Sequence, residues 1–331
     1  MVNMIKTDIS LDNLDMKILS ELDENSRISV IKLAKKLRIS REVAKYRLKR
    51  LIDSKVIISF TTMINPAKFD FIIYKIYLKL QNLSIEKEKE LISYLNKNNK
   101  VFWLAKTNGN FDLIAGLYVK NIVEFNEFLL DFTSNFGRQI ASRYITNTVY
   151  SNVFKKKYLL NKSQNFEGFF WGGIPKNELV DELSIKILKL IAENSRMPIV
   201  DICERLSTTP KTVISKIKYL EKQKVILGYR ITLNMNKINK TNFKAMIYFH
   251  NINREKEDKF KKFCELNSNI IYYIKTIGEW DLELDIEIEG YKEFNELLNK
   301  LKINFGDIIK NIDSVYMAEE VKGELNIVQN L

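Results

Sequence analysis

The sequence has few of the residues that carry most enzyme and metal chemistry. Its 331 residues include one histidine and two cysteines, Cys203 and Cys264, which are far apart and form no CxxC motif. This rules against a disulfide framework and a structural zinc site, and it predicts a reducing compartment. No apolar run approaches the ~20 residues of a membrane span, so we expect a cytoplasmic protein without membrane contact.

Catalytic motifs are missing as well. The 11 glycines form no phosphate-binding loop, and neither GxxxxGK[ST] nor HExxH occurs. The single histidine, His250, lies near the end of a predicted strand, which favours a structural role, and paired carboxylates are expected only on solvated surfaces. These absences predict a protein that is not an enzyme and uses no metal or other cofactor.

What the chain has in excess is positive charge. It has 53 Lys and Arg against 41 Asp and Glu, a formal net charge of +12, so a polyanionic partner is expected, with nucleic acid the leading candidate. The length and a hydrophobic content of 46% are enough for two to four domains with cores of their own.

The chain also repeats itself. A shift of 169 positions aligns the two halves without a gap from Leu14 to about Ile140, so that Asn25-Ser26-Arg27 falls on Asn194-Ser195-Arg196. A period this long indicates duplicated domains, because solenoid repeats run over only ~20–50 residues. We expect an α+β chain in which two winged helix-turn-helix domains (1–64 and 179–233) alternate with two ferredoxin-like βαββαβ domains (65–154 and 234–331).

The two copies are joined by residues 155–178, which are interpreted as a linker because of their lysines, glycines and Pro175. The linker contains an aromatic cluster of Phe166, Phe169, Phe170 and Trp171. Such a cluster is expected to dock on a neighbouring domain; the alternative is an aromatic ligand site.

The first part of each copy predicts three helices. In copy one Ser40 is a natural N-cap, and the third helix has Ala44, Leu48 and Leu51 on its buried side. The β-branched segment 56–64 then predicts a small hairpin, the wing. Three helices with a short turn before the third form the helix-turn-helix arrangement, whose last helix enters the major groove of DNA.

The outward side of the third helix supplies the candidate DNA contacts, which are Arg41, Glu42, Lys45, Tyr46, Lys49 and Arg50. In copy two, Thr209 is the N-cap before Pro210, and the corresponding candidates are Lys211, Ser215 and Lys218. Residues 27–55 have eleven basic and two acidic residues, whereas 196–224 have seven and three. The second copy should therefore bind DNA less strongly, and the alternative for both is a merely solvated basic face.

The second part of each copy predicts an antiparallel sheet with both helices on one face. In copy two the third strand alternates, so that Asp281, Glu283, Asp285, Glu287 and Glu289 share the face that the helices leave open. The corresponding face of copy one carries Lys75, Tyr77, Lys79, Lys106, Ile114, Gly116 and Tyr118. Opposite charge favours pairing of the unlike ferredoxin-like domains, within a chain or across a homodimer; the alternative is an exposed acidic face that repels nucleic acid.

Several of these motifs resemble the Lrp/AsnC family of transcription regulators. Leu11-Asp12-x-x-Asp15-x-Lys17-Ile18-Leu19, Asn25-Ser26-Arg27 and Val56-Ile57 are similar to its helix-turn-helix, and the turns Gly109-Asn110-Phe111-Asp112 and Gly278-Glu279-Trp280-Asp281 are similar to its effector-sensing turn. The resemblance implies a dimeric or octameric regulator that binds double-stranded DNA and responds to an amino acid. The effector contacts it implies are Gly109, Asn110, Asp112, Gly278, Glu279 and Asp281.

The chain departs from this family in two ways. The glycine usual before the wing is Lys55 in one copy and Lys224 in the other, which costs strain if φ is positive there, and the fused arrangement is uncommon. Two alternatives share the same domain plan. One is an enzyme similar to siroheme decarboxylases, whose histidine is missing from Phe102-Trp103-Leu104 and Tyr272-Tyr273-Ile274 here, and the other is a protein-binding regulator without DNA recognition.

Overall fold

The computed structural model describes residues 10–160, 168–323 and 327. Each copy begins with three helices and one strand, which are α1 (Asn13–Glu24), α2 (Val30–Leu37), α3 (Arg41–Asp53) and β1 (Ile57–Ile64) in the first copy, and α6 (Glu182–Glu193), α7 (Ile199–Leu206), α8 (Pro210–Lys222) and β7 (Ile226–Leu233) in the second. None of the described helices combines the length and the apolar character that crossing a bilayer requires.

The βαββαβ order expected for the second part of each copy is present. It consists of β2 (Ile72–Leu80), α4 (Ile85–Lys97), β3 (Val101–Gly109), β4 (Leu113–Val119), α5 (Ile122–Phe136) and β5 (Ile140–Val153) in the first copy. In the second it consists of β8 (Thr241–Phe249), α9 (Arg254–Leu266), β9 (Ile270–Gly278), β10 (Leu282–Ile288), α10 (Tyr291–Phe305) and β11 (Ile309–Lys322). The fold class is therefore the expected one, α+β with two winged helix-turn-helix and two ferredoxin-like units.

The wing differs from the expected hairpin. Each copy contributes a single strand, and β1 pairs antiparallel with β7 of the other copy. The segment 57–64 has no glycine, asparagine or proline with which to turn back, and an isolated hairpin is marginally stable. Thr61 and Arg230, which are 169 positions apart, lie opposite each other in this ladder. An approximate two-fold axis between the copies therefore passes through this pair.

The turn before each wing holds a lysine in the left-handed region. The φ angles are 54° at Lys55 and 57° at Lys224. A side chain at positive φ is strained, which explains why glycine is the usual residue here. Each turn therefore has a left-handed backbone that glycine adopts without strain, with a lysine in that position.

The two ferredoxin-like domains share one closed sheet. Their strand orders are β5-β2-β4-β3 and β11-β8-β10-β9, and the outer strands pair as β3 with β11 and β9 with β5. The two sheets therefore form an eight-stranded barrel. Their open faces point toward each other, as the expected pairing of the two domains requires, and their edge strands are also hydrogen-bonded to each other. Closure pairs the strand edges that each domain alone would expose.

Residues 155–178, interpreted as a linker, are structured in the part that is described. Strand β6 (Phe169–Gly172) pairs with the end of β5, and the Trp171 indole donates to the carbonyl of Ile64 at 3.1 Å. Phe170 stacks on Tyr150 at 5.3 Å between ring centroids. These contacts confirm docking of the aromatic cluster, except for Phe166, which lies outside the described residues.

The hydrophobic cores cross between the copies. One cluster joins the first helix-turn-helix to the wing and β9 of copy two, through residues such as Leu22, Ile231 and Ile271. Another joins the second helix-turn-helix to copy one, including Ile187 and Phe71. Because each DNA-binding domain packs against elements of the other copy, the pair cannot separate without exposing apolar surface.

A buried ion pair lies beside the wing ladder. The guanidinium of Arg230 donates from Nε and Nη2 to Asp23 at 3.1 and 2.7 Å, and both residues are buried. On the other side of the two-fold axis the equivalent residues are Thr61 and Ala192. The boundary between the copies is therefore charged on one side and neutral on the other, so the two copies are not interchangeable.

We predict that Asp23→Ala lowers the free energy of unfolding by about 3–5 kcal/mol, because it leaves the Arg230 guanidinium buried without its carboxylate. Adding Arg230→Thr recreates the neutral pair of the opposite side and should recover most of the loss. Urea unfolding of the single and double variants measures both. A double variant as unstable as the single one would show that the ion pair is not what the boundary requires.

Candidate functional site

The candidate DNA-reading helix of copy one is built as the sequence predicts. The Ser40 hydroxyl accepts from the Val43 N–H at 3.1 Å, and the residues buried on α3 are Ala44, Leu48 and Leu51. The N-cap satisfies a backbone donor at the end that faces outward. The buried face fixes which side chains point away from the domain.

The opposite face of α3 presents most of the predicted contacts to solvent, namely Arg41, Glu42, Lys45, Tyr46 and Lys49. None of these five forms an ion pair within the described part of the chain. Arg50 differs from the expectation, since its guanidinium is paired with the buried carboxylate of Asp15 on α1. Its charge is therefore directed toward the protein.

A second arginine of α3 has the same anchoring role. Arg47 Nη1 donates to Asp12 at 2.6 Å and to Asp15 at 3.2 Å. Asp12 and Asp15 in turn form a capping box at the start of α1. The acidic residues of the Leu-Asp-x-x-Asp motif thus fix the angle between α1 and α3, a role that sequence spacing alone did not reveal.

Helix α8 repeats this construction with a different surface. Thr209 caps the helix, Pro210 is its first residue, and Val213, Ile217 and Leu220 are buried. Lys211, Ser215 and Lys218 are exposed, and so is Ile214. The anchoring pair is Lys216 with Asp181 at 2.7 Å. Burial raises the pKa of the Asp181 carboxyl, but its hydrogen bonds with Lys216 and Ser184 outweigh burial and lower the pKa to about 2.

The Asn-Ser-Arg motif lies at the boundary between the copies and not at the candidate DNA surface. The hydroxyls of Ser26 and Ser195 are 2.6 Å apart, and Arg27 donates to the carbonyl of Ser195 while Arg196 donates to that of Ser26. Arg27, counted among the basic residues of the first domain, is therefore occupied inside the protein.

The two predicted effector turns are alike and lie where the copies meet. Gly109 and Gly278 have φ of 131° and 143°, and a Cβ at Gly278 would be 2.5 Å from the carbonyl oxygen of Ile145 in β5. The glycine is needed for this close approach of strands. Asn110 and Glu279, the next residues, are exposed and leave their side chains accessible to a ligand.

The aspartates of these turns have backbone partners. Asp112 accepts from the N–H of Leu80 at 2.7 Å and from Lys79 at 2.9 Å, and Asp281 accepts from the N–H of Phe249 at 2.8 Å. Each carboxylate therefore caps the end of the neighbouring strand, β2 or β8. These contacts account for an aspartate in each turn without any ligand.

The strongest charge cluster is inside the barrel. Glu283 is fully buried and accepts from Lys75 at 2.6 Å, Lys244 at 3.3 Å and the Trp280 indole at 3.1 Å. The expectation that carboxylates are solvated is wrong here, because closure of the barrel covers the acidic face. Lys79 and Lys106 do not take part, since Lys79 bonds to Asp112 and Lys106 to Glu88.

The remaining acidic side chains of β10 also have cationic partners. Lys244 pairs with Asp285, and Lys156 pairs with Glu287, which also accepts from the Tyr158 hydroxyl at 2.5 Å. Beside them is a cavity that Lys75, Lys244 and Asp285 line together with apolar and aromatic side chains, among them Phe102, Trp103, Trp171 and Tyr272. The cluster is thus internally neutralised, and the only histidine, His250, lies outside this lining.

Comparison with known proteins identifies both DNA-binding domains. Residues 11–58 and 180–226 match the model of the winged helix-turn-helix DNA-binding family. The chain is 32% identical over 131 residues to the proline dehydrogenase transcriptional activator of Rhizobium radiobacter, covering 39% of this chain and 83% of the relative. It is 30% identical over 124 residues to the HTH-type transcriptional regulator Ptr1 of Methanocaldococcus jannaschii, covering 37% and 80%. Both relatives are thus the size of one copy.

One solved structure is similar over nearly the whole chain. It is the siroheme decarboxylase NirDL, with a TM-score of 0.63 and 11% identity, covering 94% of this chain and 93% of that protein. At this identity the likeness shows the fold alone. The arrangement of two fused units around one barrel therefore exists in a solved protein.

We predict that Glu283 makes stability depend on pH in the acid range. Burial raises the pKa of its carboxyl, but the charges of Lys75 and Lys244 outweigh burial and lower it to about 2. A lowered pKa stabilises the folded protein above the unfolded-state value of ~4.3, and this contribution disappears as pH falls through the folded value. Glu283→Gln should cost about 3–5 kcal/mol at pH 7 and progressively less between pH 4.5 and 2.

Unfolding free energies of the wild type and Glu283→Gln, measured across this range, test the prediction. Glu127→Gln, on the exposed side of α5, serves as the control and should show no such trend. A Glu283→Gln deficit that stays constant with pH would contradict it.

Proposed function

The chain belongs to the Lrp/AsnC family of winged helix-turn-helix transcription regulators, and we propose that it binds promoter DNA mainly through helix α3. The observation that carries this proposal is the exposed face of α3, where Arg41, Lys45 and Lys49 have no intramolecular ion pair among the described residues. Unpaired cations on the exposed face of a helix are suited to phosphates and to base edges in the major groove.

The surroundings of the two helices support the same ranking. Helix α2, beside α3, contributes the exposed lysines Lys32 and Lys35, whereas α7, beside α8, contributes the exposed acids Asp201 and Glu204. Carboxylates near DNA phosphates weaken the attraction. We therefore propose that α8 contributes less affinity, through Lys211, Ser215 and Lys218.

We further propose that an amino acid or related small molecule binds at the Gly109–Asp112 and Gly278–Asp281 turns. The position of the turns supports this proposal, because each turn contacts the last strand of the other copy. Gly109 pairs with Val315 in β11, and Gly278 pairs with Thr146 in β5. A ligand there would alter the junction on which the crossed packing of the DNA-binding domains depends.

An enzymatic function is the alternative that the whole-chain similarity to a siroheme decarboxylase keeps open. We propose that this activity is absent, because no histidine is among the described residues that line the cavity, where Phe102, Trp103, Tyr272 and Ile274 stand beside Lys75, Lys244 and Asp285. The absorption spectrum of the protein mixed with an iron porphyrin distinguishes the two functions. A mobility shift with the protein's own upstream DNA also tests the third hypothesis, a protein-binding regulator that has lost DNA recognition, which predicts no shift.

We predict that Lys45→Ala with Lys49→Ala weakens binding to that DNA and flattens its salt dependence, because each lost phosphate contact reduces the slope of log affinity against log salt by about 0.9. The matched pair Lys211→Ala with Lys218→Ala should cost less. Fluorescence anisotropy titrations at several salt concentrations measure both. Equal losses from the two pairs would reverse the ranking of the helices.

The effector is first identified by screening the twenty amino acids for one that raises the melting temperature of the protein. We predict that Asp112→Asn and Asp281→Asn reduce this rise. Asparagine keeps an oxygen that can accept from the Leu80 or Phe249 N–H but loses the charge that an ammonium group would need. Asp70→Asn, at an exposed residue that precedes β2 at the end far from the turn, is the control. If both turn variants keep the full shift, the aspartates act only as strand caps.

A further inference from the structure

The two candidate reading helices present different side chains at equivalent positions. Under the shift of 169, Glu42 corresponds to Lys211, Lys45 to Ile214 and Tyr46 to Ser215, and all six residues are exposed. Lys49 and Lys218 are alike. The buried faces, in contrast, are equivalent in place and chemistry, so the helices share a fold but not a reading surface.

These differences matter for base recognition. A glutamate accepts from the amino group of cytosine, a lysine donates to the acceptors of guanine, and an aliphatic side chain contacts the methyl group of thymine. Lys45 and Ile214 therefore favour different base pairs, whereas Glu42 and Lys211 favour the two different bases of a C·G pair and so its opposite orientations. A DNA site with two identical half-sites would be read well by only one helix.

The structure also pairs the two DNA-binding domains, one from each copy. The wings of the two copies are paired, the Ser26 and Ser195 hydroxyls are in contact, and the Asp23–Arg230 pair joins the copies on one side only. Two first copies would leave Asp23 opposite Thr61, and two second copies would leave Arg230 opposite Ala192. Both arrangements bury an unpaired charge, which favours the pairing of one α3 with one α8 that is present within this chain.

We infer that one chain binds as a single molecule to a DNA site without two-fold symmetry, whose unlike half-sites are read by α3 and α8. The inference rests on the proposed function and adds the form of the DNA partner. The residues that set the difference between the half-sites are Glu42, Lys45 and Tyr46 on α3, and Lys211, Ile214 and Ser215 on α8.

The test is selection of bound duplexes from a random library by the intact chain, followed by affinity measurements. The selected sequence should lack two-fold symmetry and bind one chain per duplex in native mass spectrometry. Two palindromes, each made by duplicating one half-site, should bind about tenfold more weakly or worse, since every unsuitable base pair costs about that factor. A palindromic selected sequence, or two chains per selected duplex, would overturn the inference.

A variant pair sharpens the result. Glu42→Lys with Tyr46→Ser gives α3 two of the side chains of α8 and should move relative affinity toward the palindrome of the α8 half-site. Glu127→Lys makes the same charge change on the outer face of α5 and should leave the ratio of affinities unchanged. An unchanged ratio in the α3 variant would overturn the inference, whereas failure to retain any duplex would overturn the proposed function itself.

Discussion

The carboxylate of Glu283, held between the ammonium groups of Lys75 and Lys244, is the interaction on which the pairing of the two copies depends. Lys75 and Lys244 are equivalent positions, one from each copy, but the equivalent of Glu283 is Ile114. Two first copies would bury two lysines without a carboxylate. Two second copies would place four carboxylates, from two Glu283 and two Asp285, beside two Lys244 side chains, whereas the unlike pair places Glu283 and Asp285 beside Lys75 and Lys244. Only the unlike pair balances the charge, and an unbalanced buried charge costs about 3–5 kcal/mol.

This constraint extends through the molecule because the barrel is shared. The glycine turns that end β3 and β9 lie against β11 and β5 of the opposite copy, and each helix-turn-helix packs into a cluster that includes residues of the other copy. A change at one turn therefore reaches a strand whose own copy is anchored to the other DNA-binding domain. The fused chain thus links the two turns and the two DNA-binding domains through one closed set of contacts.

Much of this fold follows from sequence. Ser40 and Thr209 begin their helices because a side-chain oxygen at that position satisfies a backbone N–H, and the apolar spacing of Ala44, Leu48 and Leu51 defines the buried face. The alternation of β10 placed its carboxylates on one face. These features depend on neighbours within a few residues, which local patterns describe.

What the sequence did not reveal depends on contacts about 170 residues apart or on side-chain geometry. The wing strand at 57–64 has its partner in the other copy, so local pattern suggested a hairpin. Arg50 and Lys49 are both basic residues of α3 and look equivalent in the sequence, but the guanidinium of Arg50 forms an ion pair with Asp15. Asp112 and Asp281 were ambiguous because a carboxylate that caps a strand and one that binds an ammonium group have the same spacing.

The most direct test of the central claim is to produce residues 1–160 and 161–331 as two separate chains with different tags and to measure their assembly by native mass spectrometry. The account predicts a complex with one copy of each half, and no stable homodimer of either half, because only the unlike pair brings Glu283 between Lys75 and Lys244. A stable homodimer of residues 161–331, which would place two Glu283 carboxylates in one barrel, would contradict it.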